Sequence, residues 1–187
     1  MLVLSIDVGV VNLGVCLFDI KMKTIVRADA TRLADSMREI SGELDYVMRL
    51  TAMCADRATV LGSMMAQADV VIIERQMRRN MMIVQHVLAT IGQMNGKRVE
   101  YVSPQSVKVW FRKQIGLIVP PRSSAISYHY ANKVEAKEVF TYMFPTFTLP
   151  PGKGDDVADA SLQAAYWSAR EEKKNKTRGP KKKKANP

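Results

Sequence analysis

Apolar residues along this chain change period several times, and each change marks an element. The opening "LVLSID" predicts a strand from Leu2 to Asp7 that ends at a glycine turn. "GVCLFDI" and "KTIVRADATRL" predict two further strands, so the chain begins as an antiparallel meander with short turns. From about Leu44 to Met65 the period lengthens. Leu44, Val47, Met48, Leu50, Met53, Cys54, Ala58, Leu61, Met64 and Met65 recur at helical spacing and predict one helix. "DVVIIE" is then apolar on both faces, as in a central strand covered by helices. A helix follows from about Met77 to Met94, carrying Met81, Val84, Val87, Leu88 and Ile91, and "KRVEYVS" predicts a short strand ended by Pro104.

In the second half, "SPQSVKVWFRKQ" predicts a helix with Ser103 as N-cap and Pro104 at its first position. Residues 115–130 lose periodicity among prolines and serines and are read as a loop. A helix returns at Asn132, with Val134, Val139, Tyr142 and Met143 as its buried side. "PTFTLPPGKG" predicts a second loop and "DDVADASLQAAYWSAR" a last helix. Residues 1–169 thus form one α/β domain, a mixed five-stranded sheet flanked by helices on both faces. Residues 170–187 form a low-complexity basic tail, predicted to be disordered.

Charge adds a partner to this outline. The net charge of +10 is concentrated: residues 170–187 hold nine Lys or Arg against two Glu, and residues 75–122 hold nine against one. Two basic zones on a mildly acidic background point to a polyanion, with solvated charge as the plain alternative for the tail. No apolar run reaches the length of a membrane span, and no secretory leader is legible, so an intracellular protein with no membrane partner is expected. Cys16 and Cys54 have no metal-ligand or redox spacing and are expected to be buried thiols. His86 and His129 are read as ordinary helix-surface and loop residues.

The chemistry lies in four carboxylates placed where a core-seeking pattern would not put them. Asp7 ends the first strand, Glu74 ends the most buried one, and Asp156 and Asp159 share one face at the start of the last helix, with Asp155 beside them. Strand ends at one sheet edge can converge with a helix start laid against them. Carboxylates brought together repel, and they persist at neutral pH only if protons or cations neutralise them. An all-oxygen set favours hard cations, Mg²⁺ or Mn²⁺, and two such ions suit phosphodiester hydrolysis. Arg75, Arg78 and Arg79, just after Glu74, would grip flanking phosphates. Each acid also has a plain role. The aspartates at 155, 156 and 159 could cap a helix, Asp7 could form a turn, and Glu74 could pair with Arg75 or Arg78.

Four segments together resemble the RuvC-type Holliday junction resolvases of the ribonuclease H-like superfamily, especially their poxviral and fungal mitochondrial branch. They are "LSIDVGVVNLGVCLFD" at 4–19, "VVIIERQMRRN" at 70–80, "VEYVSPQSVKVWF" at 99–111 and "KGDDVADASLQAAYW" at 153–167. The resemblance implies Asp7, Glu74, Asp156 and Asp159 as catalytic metal-binding acids, with Asp155 as a helper or alternative ligand. It also implies two ions per site, no small-molecule cofactor, and a homodimer that nicks opposing strands of a four-way junction. Lys108 and Lys133 match places where the family carries basic residues near DNA; Arg112, Lys113 and Lys153 complete the expected DNA-binding set. The helix after Glu74 takes part in the family's dimer, which offers Met77, Met81, Met82 and Met94 a use beyond core filling. Where bacterial members carry an aromatic wedge, this chain has Met77. A viral source is implied only by the branch resembled.

Other readings compete. "DVGVVNLGV" also looks like the first phosphate loop of actin-like ATPases, but 187 residues leave no room for that fold's two halves. A non-catalytic DNA-binding module would gain nothing from acids at the centre of its basic surface. A flap nuclease or a hybrid-cutting ribonuclease H is the nearest rival.

Overall fold

A computed structural model of the protein describes residues 1–116 and 128–177. Strands β1 (Leu2–Asp7), β2 (Asn12–Asp19), β3 (Thr24–Arg32), β4 (Val70–Glu74) and β5 (Arg98–Val102) form one sheet in the spatial order β3-β2-β1-β4-β5. The first three make the expected antiparallel meander, and β4 and β5 extend the sheet in parallel from the other side of β1. Parallel neighbours need long crossovers. Those before β4 and β5 contain α1 (Glu43–Ala55), α2 (Val60–Gln67) and α3 (Arg79–Met94). After β5 come α4 (Pro104–Ile115), α5 (Tyr128–Met143) and α6 (Gly154–Thr177).

The pleat divides the core. Leu4 and Ile6 of β1, with Val71 and Ile73 of β4, pack against Leu50, Met64 and Leu88 on the α1–α3 face. Val3, Val70 and Ile72 pack against Phe111, Phe140 and Leu162 on the α4–α6 face. Side chains two apart share a face. Asp7 therefore shares parity with Val3 and Ser5, and Glu74 with Val70 and Ile72. β1 and β4 run parallel with Ile6 opposite Ile73, so the two acids occupy the next register position at one edge of the sheet.

Several elements differ from the sequence reading. The stretch 44–65 is two helices, because the Asp56 side chain accepts from the Ala58 amide (2.8 Å) and Thr59 Oγ1 caps Gly62 (3.0 Å). The buried face of α1 is Tyr46, Leu50 and Cys54, leaving Leu44 and Met48 exposed. α3 buries Val84, Gln85, Leu88 and Ala89, while Met77 is 86% and Met94 82% exposed, so neither fills the core. α5 begins at Tyr128 inside the expected loop, which puts His129 in a helix. It buries Ala136, Val139 and Phe140, whereas Val134 and Tyr142 are exposed. Ser103 stands at the N-cap of α4 without a side-chain cap bond.

α6 runs to Thr177, through the first part of the expected tail, and the ion pairs of Glu171 and Glu172 with Arg98, Lys174 and Lys23 hold it there. Residues 117–127 of the expected loop and 178–187 of the tail lie outside the described residues. Cys16 and Cys54 are both buried and free. Among the described residues no helix is long and apolar enough to cross a membrane.

Candidate active site

Two close contacts seat the start of α6 on the edge that carries Asp7. Gly14 lies opposite Asp7 in the β1–β2 register, and a Cβ there would sit 2.0 Å from the Asp156 carbonyl oxygen. Only a glycine lets the helix backbone come so near. Deeper in the same face, buried Gln163 donates from Nε2 to Ser5 Oγ (3.0 Å) and to the Ile6 carbonyl (3.3 Å). These bonds tie the helix that carries Asp156 and Asp159 to the strand that carries Asp7.

Glu74 is held by a second glutamine pair. The Gln76 side chain donates to the Glu74 carboxylate and more weakly to the Val8 carbonyl (3.4 Å). The Gln76 amide in turn donates to Oε1 of buried Gln85 on α3 (2.6 Å). No arginine is within ion-pair distance of Glu74 among the described residues, so its plain role as a partner of Arg75 or Arg78 is not the one seen.

Asp7, Glu74 and Asp156 line a cleft of about 620 Å³, and Asp159 does not line it but is near enough to feel the charges of Glu74 and Asp156. Burial first, then the Glu74 charge and a hydrogen bond to Glu74, with Asp159 and Asp156 adding to it, push the Asp7 carboxyl well above its ordinary range. Burial and the Glu74 charge likewise push Asp159 up to about 7, against the opposing charge of Lys108. Burial and mutual repulsion therefore disfavour a full set of negative charges in this cluster. Among the described residues no three His, Cys, Asp or Glu side chains form a ready-made metal cluster.

No protein-family model matches the sequence, and no curated protein does. Solved structures do. The RuvC protein of Thermus thermophilus, solved in complex with a Holliday junction substrate, superposes with a TM-score of 0.60 at 16% identity, over 91% of this chain and 96% of that one. The yeast mitochondrial Holliday junction resolvase Ydc2 gives 0.58 at 16% identity, over 94% and 81%. The fold is that of the RuvC-type resolvases. At this identity the likeness covers the arrangement of strands and helices, the ribonuclease H-like sheet expected from the sequence.

Within this RuvC-type fold the expected basic residues separate. Arg78, Arg79 and Lys153 line the acid cleft. Arg79 also pairs with Glu43 of α1 (2.7 Å), an exposed contact. Lys108 is half-buried close enough to Asp159 to act on its charge. Arg75 is exposed but does not line the cleft, and Lys113 is exposed on α4. Arg112 is committed to a two-pronged pair with Glu135 of α5 (2.7 and 2.8 Å). Lys133 falls in α5, with its side chain outside the described residues. Asp155 is buried, does not line the cleft, and adds to the charge felt by Asp159. Gln76, Gln85 and Gln163 were not singled out from the sequence. The available signal was a polar residue inside an apolar helix stripe: Gln85 between Val84 and Leu88, and Gln163 between Leu162 and Ala164.

Proposed function

We propose that the protein is a divalent-metal-dependent DNA endonuclease that resolves four-way junctions by paired, symmetric nicks. The observation that carries this reading is the convergence of Asp7, Glu74 and Asp156 from three elements on one cleft also lined by Arg78, Arg79 and Lys153, with Asp159 near enough to feel their charge. The likeness in fold to two Holliday junction resolvases supports it.

The donor set fits hard cations: the clustered side chains are carboxylates, and the burial and mutual repulsion that push Asp7 upward would be relieved by positive charge there. Two Mg²⁺ or Mn²⁺ ions there would supply an activated water and stabilise charge on the transferred phosphorus and the leaving oxygen. The chain's own groups do the rest. Gln76 holds Glu74 in one orientation, and the Lys108 charge opposes the upward push that burial and Glu74 exert on Asp159. Arg78 and Lys153 grip the phosphates flanking the cut, so affinity falls steeply with salt and follows shape more than sequence.

A homodimer belongs to the same proposal, because paired nicks need two sites. Val47 of α1 and Met94 of α3, both exposed, line a groove of about 770 Å³ between α1, α2 and α3, and Leu44 and Met48 of α1 are exposed as well; that apolar surface suits a second copy. The deciding assay offers labelled four-way junction, flap and linear duplex in Mg²⁺ and maps the products. Paired, ligatable nicks across the junction are expected. Equal cutting of all three substrates would reduce the protein to a general nuclease.

A further inference from the structure

The connection from β3 to α1, residues 33–42, begins buried at Leu33 and Ala34, is exposed from Asp35 to Glu39, and is pinned by side chains of α1. Arg49 of α1 donates to the carbonyls of Leu33 (2.9 Å) and Glu39 (3.2 Å), while Asp45 holds its Nε (2.9 Å). The Asp35 amide donates to Glu39 (3.0 Å) and the Ser41 amide to Asp45 (3.2 Å). Inside this braced segment one 3-10 turn, Met37–Glu39, brings Met37 to the wall of the acid cleft. The hydroxyl of buried Tyr46 donates to Met37 Sδ (3.7 Å), yet Met37 stays 42% exposed. Val10 and Met81 line the same cleft.

Val10 and Met81 also pack against the core, whereas Met37 stands outside that core cluster, and contacts to the sugar–phosphate backbone alone would call for cations rather than for an exposed thioether. Thioethers and branched aliphatic side chains pack well on the flat face of a nucleobase. The wall shares one cleft with the acids, so a strand whose phosphate lies at Asp7 and Glu74 brings a neighbouring base within reach of it. The cleft's volume is also in the range of pockets that enclose whole small molecules.

We infer that Met37, Val10 and Met81 form a subsite for an unstacked nucleobase next to the scissile phosphate. The inference rests on the DNA-cleaving reading above and adds a source of structure selectivity. Pulling a base from the stack costs least where pairing is already broken, as at a branch point, and most in continuous duplex.

The test is a cycle between protein and substrate. Cleavage of a four-way junction is measured with natural bases and with an abasic site at each nucleotide flanking the cut, using the wild type, Met37→Ala and Met37→Leu. At one position the abasic junction is cut about tenfold more slowly by the wild type, and Met37→Ala loses about as much on the intact junction. On that abasic junction Met37→Ala then costs less than about twofold, and Met37→Leu recovers most of the loss through conserved volume. Equal losses for Met37→Ala on intact and abasic junctions at every position overturn the subsite and leave the nuclease reading standing. A wild type that cuts no DNA in Mg²⁺ or Mn²⁺ overturns the nuclease reading itself.

Discussion

The two ends of α6 carry two groups of acids in opposite conditions. At its start, Asp7, Asp156 and Asp159 crowd Glu74, and burial with mutual repulsion pushes Asp7 and Asp159 upward. About 18 Å along the helix axis, Glu100 and Glu171 are also partly buried, which by itself raises them. Here the Trp167 indole N–H (3.0 Å), Arg98, Arg170 and Lys174 outweigh burial and hold both carboxyls below their ordinary values. A fold that needs acids only for stability supplies them with cations and donors, as it does for Glu100. Acids whose burial and mutual repulsion outweigh their donors weaken the fold, and such perturbed groups cluster at functional sites.

The largest predicted effect breaks the strained end. Asp7→Asn or Glu74→Gln lowers junction cleavage by more than about a thousandfold, while junction binding, measured by gel shift in Ca²⁺, stays within a few-fold. Metal-dependent cleavage at the wild-type rate in either variant would remove these residues from the site.

A smaller effect reads the strain directly. The Asp159 carboxyl rises from 3.8 in the unfolded chain to about 7 in the fold, so the folded state holds its proton more tightly. The stability linked to this group is therefore full at low pH and is lost as pH climbs through that interval. Metal-free protein in EDTA should have a lower urea midpoint at pH 7.5 than at pH 5, and Asp159→Asn should reduce the drop. An identical drop in both proteins would show that this carboxyl does not carry the strain.

The smallest effect on catalysis comes from the paired end. Glu100→Gln removes one of the two carboxylates that Arg98 and Arg170 share, Glu171 remaining, and costs about 0.5–1.5 kcal/mol of stability, yet leaves cleavage within about twofold. A large loss of cleavage with unchanged stability would contradict the division between the two ends.

Much of the fold could be read from pattern. The meander, the buried β4, the helix after Pro104 and the aspartate-rich start of α6 stand where periodicity put them, because each follows from local alternation or turn chemistry. The misreadings have local causes of a different kind. Asp56 and Thr59 satisfy backbone amides within the apolar period at 44–65 and split it. The charges after 170 looked like a solvated tail because their partners, Arg98 and Lys23, are more than seventy residues away in sequence.

"VVIIE" alone required a strand with an acid at its end, since four consecutive β-branched residues bury on both faces and a carboxylate does not. The same alternation required Asp7 to leave β1 on the Val3 and Ser5 side. It did not determine which of the adjacent Asp155 and Asp156 faces the cleft, because neighbours on a helix point about 100° apart and either could lead. That was decided by the approach of α6 to Gly14 and by the bonds of Gln163 to β1, contacts across more than 140 residues. The commitment of Arg112 to Glu135 and the placing of Met37 at the cleft were decided in the same way. Sequence spacing specifies which side chains a strand or helix presents together, and only packing specifies what they meet.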